Sequence, residues 1–435
     1  MNVPRGGCRL RLAALIFLLG PGLRPATAQL LGPEFQVNSY TTSYQILAAV
    51  TADGSGNFVV VWGSDGQDGS GVGVFGQRYD SAGSEAGGEF QVNSWTTGYQ
   101  GGPAVAADEA GNFVVVWFSD GQDASGDGVF GQRFNSAGGL VEGEFRINTY
   151  TTGDQRFPAV AADDSGDFVV VWHSDANQDG SFDGVFAQRY SSTGSLVGSE
   201  FRVNTYTTND QRFPAVAADG SGNFVVVWAS DGNDGSGFGV FGKRYNSEGS
   251  SVGPEFQVNS YMTGDQRSPA VAVDGSGDFV VTWRSGDQDG SEYGVFGQRY
   301  DSAGILQGSE FRVNTYTTGY QWYPTVAANG SGNFVVVWNS DQDGSFNGVF
   351  GQWFDSTGRA VGNEFQINSY TTGFQNFPVI ATGGSDSFVV AWHSEGQDLD
   401  NDGVIGRRLN NSLFADDFET SDVCNWSTNL GGGDC

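Results

Sequence analysis

Apolar and polar residues follow one recurring order along the chain. An alternating run such as "EFQVNSY" (34–40) is followed by an Ala-rich run such as "FPAVAAD" (157–163). An unbroken apolar run such as "NFVVVW" (112–117) comes next, then a mixed run such as "GVFGQRYD" (73–80). Period-two alternation marks a half-solvated strand, and a short continuous apolar run marks a strand covered on both faces. Between the runs stand "TTGDQ", "DGSG", "SDGQDGSG" and "DSAG", whose Gly, Asp and Ser suit tight turns. No helical period follows residue 28. The pattern predicts four short strands per unit and an all-β fold.

The unit occurs seven times. The Trp that closes the apolar run stands at 62, 117, 172, 228, 283, 338 and 392, in steps of 55, 55, 56, 55, 55 and 54. Seven units of four strands predict a seven-bladed β-propeller of antiparallel blades; a β-solenoid or a row of small sandwiches is the rival. "PAVAA" suits a crowded hub, the apolar run a covered middle position, and the alternating run an outer edge. The chain begins with an outer strand, and its last unit lacks one. The segment at Glu34 should therefore pair with the segment at Val404 and close the ring. Each unit has Glu before the Phe of the alternating run, and six have an Arg in the preceding strand (Arg78, Arg133, Arg189, Arg244, Arg299, Arg408), with Trp353 the exception. A cross-strand ion pair is expected between them.

Composition adds the compartment. Residues 1–28 combine Arg5, Arg9 and Arg11 with the apolar "LAALIFLLG" and a small-residue "ATA", as a secretory signal peptide does. The chain holds 20 basic and 50 acidic residues, and the leader contributes four of the Arg and none of the acids. So acidic a protein is not expected to bind nucleic acid or an anionic membrane surface, and nothing in it predicts a membrane span. We expect an extracellular protein, secreted or at the cell surface, and a monomer. Residues 29–409 are assigned to the propeller and 410–435 to an acidic tail. There Cys424 and Cys435 are expected to form a disulfide.

The loop after the repeat Trp is rich in Asp and Gly. Its seventh copy, "DLDNDG", places Asp398, Asp400 and Asp402 at alternate positions before Gly403. It resembles the calcium loop of EF-hands and of the FG-GAP blades of integrin-type propellers, and the chain as a whole resembles secreted bacterial propeller repeat proteins. The resemblance implies Ca²⁺ held by Asp398, Asp400 and Asp402, and by thinner sets at Asp123 and Asp127 and at Asp175, Asp179 and Asp183. A plain Asp-Gly turn is the other reading, and both stand at this point. The tail stretch "DDFETSDVCNWS" resembles an ending of exported Gram-negative proteins; a disulfide-tied end covering one propeller edge is equally open.

In an up-down blade the acidic loop shares a face with the loop after the alternating run. That second loop carries Tyr40, Trp95, Tyr150, Tyr206, Tyr261, Tyr316 and Tyr370. Aromatic rings stack on sugars, so these seven are candidate ligand-binding residues for a glycan or an extracellular protein. Packing between blades is the alternative. Catalytic residues are not assigned. His173 and His393, the two His, follow the Trp in separated units, at a position whose variety suggests surface, and near-identical units argue against catalysis. The expectation is an exported binding or adhesion module, not an enzyme. A glycoside-acting propeller enzyme is the alternative, and a purely structural surface protein a further one.

Overall fold

The computed structural model describes residues 29–410 except 176–177, 384–386 and 399. The proposed leader, the tail and its two Cys lie outside the described residues. The chain forms 28 strands in seven four-stranded antiparallel sheets, and no helix occurs among the described residues. The inner strand of each sheet meets those of the blades on either side, so the sheets form a closed seven-bladed β-propeller.

Blade 1 shows the plan. Gln45–Ala52 lies at the hub, then Phe58–Asp65, Val72–Tyr79, and Phe90–Gln91 at the rim. The Ala-rich run is thus the crowded inner strand. The outer strand is shorter than its alternating sequence suggests. The reason is Asn93, whose Oδ1 accepts from Val74 N at 2.7 Å, so a side chain takes over the ladder. In blade 7 the rim strand is Gln29–Gln36, paired antiparallel with Asp402–Asn410. The ring closes as the sequence predicts, and Asn38 Oδ1 accepts from Val404 N at 2.7 Å across the seam.

No blade has a core of its own. Each of the seven apolar clusters lies between neighbours; one joins Val59, Val61 and Val74 of blade 1 to Phe113, Val115 and Trp117 of blade 2. The seven repeat Trp are fully buried. Burying such a side chain contributes roughly 2–3 kcal/mol. Within the same layer, Phe58 and Tyr79 stack at 4.7 Å while Phe35 of blade 7 tilts onto Tyr79 at 5.3 Å, and the trio recurs in the other blades that carry Tyr or Phe at this position.

The Arg and Glu of the unit do not pair with each other, contrary to expectation. Each reaches a different neighbour. Arg78 Nη1 donates to Ser136 O at 2.9 Å in a turn of blade 2, and Arg133 Nη1 to Ser192 O at 2.9 Å in blade 3. Arg408 carries the pattern across the seam to Ser81 O at 2.7 Å. Glu89 Oε2 instead accepts from Ser39 N at 2.6 Å and Ser39 Oγ at 2.9 Å, on the preceding blade. The alternation of a strand sends the two side chains to opposite neighbours, so a pairing between them is geometrically unavailable.

Trp353 now has a reason. An Arg there would reach for a third-to-fourth-strand turn in blade 7, but that blade takes its fourth strand from Gln29–Gln36, and no such turn occurs among the described residues. Blade 7 also has Leu409 where most units have Tyr or Phe. Trp353 fills that room, edge-on to Phe388 at 5.2 Å and 1% exposed. Trp353→Arg should bury a charge with no acceptor and destabilise the protein by about 3 kcal/mol or more. Urea unfolding measures it, and a loss below about 1 kcal/mol would refute this account.

Candidate functional site

The upper face carries the acidic loops and the loops that cross from one blade to the next. Ser43 Oγ donates to Asp65 at 2.6 Å, joining the two loop types, so the expected shared face is observed. Of the seven crossover aromatics, Trp95 and Tyr316 are exposed at 41% and 38%, and Tyr40, Tyr150, Tyr206, Tyr261 and Tyr370 are half-buried. They sit on the upper face; the aromatics between blades are the Phe and Tyr of the trios.

The loop acids divide by position. Asp123 Oδ1 accepts from Ser125 N at 3.1 Å and Oδ2 from Asn148 Nδ2 at 3.4 Å. Asp179 repeats this with Ser181 N and Asn204 Nδ2, both at 3.1 Å. Asp398 accepts from Asp400 N and from Asn38 Nδ2, both at 3.3 Å. These acids cap their own turn. The following Gly is required because the carboxylate folds over it: a Cβ on Gly403 would stand 2.5 Å from Asp398 Oδ2. Asp175 accepts from Asp154 N at 2.6 Å, and Asp400 from Ser43 N at 3.0 Å. Asp127 and Asp183 make short ion pairs with Arg156 and Arg212 of the next blade. Among the described residues, no three His, Cys, Asp or Glu side chains surround a point where a metal would sit. The calcium expectation rests on the sequence pattern alone.

Differences between units concentrate where this face meets the hub. Each inner strand breaks register after its second residue, as between Arg156 and Ala159. The break holds a left-handed residue, directly ahead of Pro in six units and ahead of Ala48 in blade 1: Leu47 (φ 53°), Phe157 (50°), Phe213 (54°), Ser268 (53°), Tyr323 (49°) and Phe377 (50°), with Gly102 (56°). A non-Gly residue at positive φ is strained, and such bulges re-aim side chains. These face one another around the hub: Phe157 meets Phe213 at 5.4 Å, and Tyr323 meets Phe377 at 4.4 Å.

The residue after the repeat Trp lies beneath this ring. His173 and His393 are each 7% exposed, which corrects the surface reading. The variety there comes from what fills the hub. His173 packs against Phe157 at 5.2 Å, and burial, then Arg212 and Arg156, pushes its pKa down to about 3. Burial lowers His393 to about 4.

A third divergent position starts each third strand or directly precedes it, facing the inner strand of the next blade. Asp127 meets Arg156, Asp183 meets Arg212, Phe238 lies under Arg267 at 4.0 Å, and Asn347 bonds Asn376 at 2.9 Å. Asp402 is the next in this series, and the corresponding residue of blade 1 is Ile46. Asp402 has no cation among the described residues. Its carboxyl is raised above the ordinary range by burial, then by Glu395 and Asp398. Glu395 stands directly opposite it in the ladder. The two acids line a cleft of about 590 Å³ with His393, Asp400, Asn376 and the rings of Tyr44, Tyr370, Phe346 and Phe374. Glu395 Oε2 accepts from Phe374 N at 3.0 Å, and Phe346 lies 4.7 Å from Phe374.

Of the cleft residues, sequence reasoning named Asp400 and Asp402, as calcium ligands, and Tyr370, as a ligand-binding ring. It missed Glu395, Phe346, Phe374 and Asn376. The usable signal was the misfit of single residues against their copies, such as Glu395 where most units carry Asp.

No protein-family model matches the sequence, and no curated protein matches it. Among solved structures, a protein of unknown function from Dyadobacter fermentans resembles it with a TM-score of 0.52 at 11% identity, over 72% of this chain and 94% of that one. An α-L-arabinofuranosidase from Fusarium graminearum, in complex with an iminosugar inhibitor, gives a TM-score of 0.50 at 11% identity, over 78% and 98%. At these identities the likeness is one of fold. The FG-GAP resemblance gains nothing beyond the six residues that suggested it. The expectation that the chain is not an enzyme is overturned: the fold it shares is also that of an α-L-arabinofuranosidase, and the supposedly uniform units differ from one another around the hub.

Below pH 6.5 an unfolded His takes up a proton that folded His173 refuses. Stability contributed by the neutral ring is therefore complete above that pH and lost as pH falls toward 3. His173→Gln should be less destabilised than the parent on going from pH 7 to pH 4.5, as read from urea midpoints.

Proposed function

We propose that the protein is an exported, glycoside-acting propeller whose cleft on blade 7 cleaves a glycosidic bond. The glycoside-acting alternative of the sequence reading thus replaces the adhesion module. The observation that carries it is the juxtaposition of Asp402, which unlike Asp127 and Asp183 at the same position has no partnering Arg among the described residues, with Glu395 in a cleft walled by aromatic rings. The arabinofuranosidase supports it as a protein of this fold whose name is an activity on sugars.

Glycoside hydrolysis needs one carboxyl that holds a proton near neutrality and one that is ionised. Burial and the neighbouring negative charges keep the proton on Asp402 to higher pH than an exposed Asp allows. In this reading Asp402 gives that proton to the departing glycosidic oxygen as the carbon–oxygen bond breaks. Glu395 supplies the second carboxyl group: it takes a proton from the water whose oxygen forms the new bond to the sugar carbon, as the bond to the departing oxygen breaks. Tyr44, Tyr370 and Phe374 present ring faces on which a sugar can stack. Export rests on the leader-like residues 1–28, and no helix among the described residues is long and apolar enough to cross a membrane.

Hydrolysis of a panel of plant and bacterial polysaccharides, followed as released reducing ends, tests the reading. Asp402→Asn and Glu395→Gln should each lower turnover by about 10²-fold or more while the propeller still folds. The parent rate should fall as pH rises through the raised Asp402 pKa. Full activity in both variants, or none in the parent on any substrate, would sink the assignment.

A further inference from the structure

Arg284 occupies the position after the repeat Trp in blade 5. The chain holds 50 acidic against 20 basic residues, and the hub shows that surplus at work. Arg156 pairs with Asp127 and Asp154, Arg212 with Asp183 and Asp210, and Arg267 with Asp265. Arg284 forms no ion pair among the described residues. Its Nε is shut off from solvent and donates to no described group. Its guanidinium lies 5.1 Å from the ring centre of Tyr293 and 5.6 Å from that of Tyr323. Burial weakens its hold on its proton, the direction expected of a cation short of counter-charge.

Ring faces attract a cation but accept none of its in-plane N–H groups. A half-buried guanidinium with free donors is costly in an apo protein and strong once a planar anion arrives. The surroundings favour an anion carried on a sugar. Half-exposed rings flank it: Tyr293 lies 6.1 Å from Tyr320, and Tyr320 lies 4.8 Å from Trp322. The rings then continue toward the acids, from Tyr323 to Phe377 at 4.4 Å and from Phe377 to His393 at 4.9 Å, and His393 lines the cleft of Asp402.

We propose that Arg284 anchors an anion subsite at the hub, taking the carboxylate of an acidic sugar and fixing which glycan lies across the aromatic floor to Asp402. The inference rests on the upper face being a glycan site. It assigns the substrate class: a chain containing uronate-like units.

The test is binding without turnover. Calorimetric titration with sodium glucuronate and with glucose should show glucuronate binding at least about tenfold tighter, the effect of one charge-assisted pair. Arg284→Gln should abolish that preference. Arg284→Lys, which keeps the charge but not the fork, should weaken it, and carries the test should the Gln variant not fold. Equal binding of the two sugars, no binding of either, or a preference that survives in Arg284→Gln overturns the proposal. A protein that prefers glucuronate but hydrolyses nothing would overturn the glycosidase reading and leave this one standing. An active protein indifferent to the carboxylate would do the reverse.

Discussion

Everything in this protein depends on packing between blades. A four-stranded sheet of this composition has two apolar faces and can cover neither by itself, so each apolar cluster is shared by two blades. A side chain in the middle layer must suit its own sheet and the next one. That double demand explains why "FVVVW" scarcely varies, why Arg and Glu each grip a different neighbour, and why the unit length changes by at most one residue between successive blades. Where the demand lapses, at the upper rim of the hub, residues differ freely. The chemistry of the molecule is confined to the places that the packing leaves unconstrained.

The fold was legible because it is written seven times. Runs of period two and of continuous apolar residues identify strands, and the missing fourth strand of the last unit identifies the seam. What sequence could not supply was direction. Glu89 and Arg78 stand close in the chain, yet they serve blades on opposite sides. Gly63, Phe118, His173 and Arg284 vary as surface residues do, but mostly they line a confined hub whose contents differ by sector. The candidate cleft was less legible still. Glu395 and Asp402 lie near each other in sequence, but Tyr44 belongs to the other end of the chain and Phe346 to another blade. Only closure of the ring assembles them.

The acid-glycine loop shows how one pattern serves two ends. Most of its acids hold turns shape through Asx-type bonds and through the buried Asn–Gln network beneath. That scaffolding sets the acids at the start of the third strand along the inner edge, where some are neutralised by Arg and Asp402 is not. A carboxyl becomes chemically interesting here by losing a partner. The left-handed bulges recur in every blade, and the six that are not Gly carry a side chain at the hub while the ladder resumes on either side.

The seam has a consequence for the order of events in making the molecule. A chain synthesised from its N-terminus produces Gln29–Gln36 before the other 27 strands of the propeller, and the partner of that strand, Asp402–Asn410, last among them. The first-made segment must wait, unpaired, through the production of six complete blades. A truncated product could stack most of its sheets yet never become circular, leaving one sticky flank at each end. Closure of the wheel therefore requires synthesis to pass Asn410, and is complete only when the two sides of the seam meet.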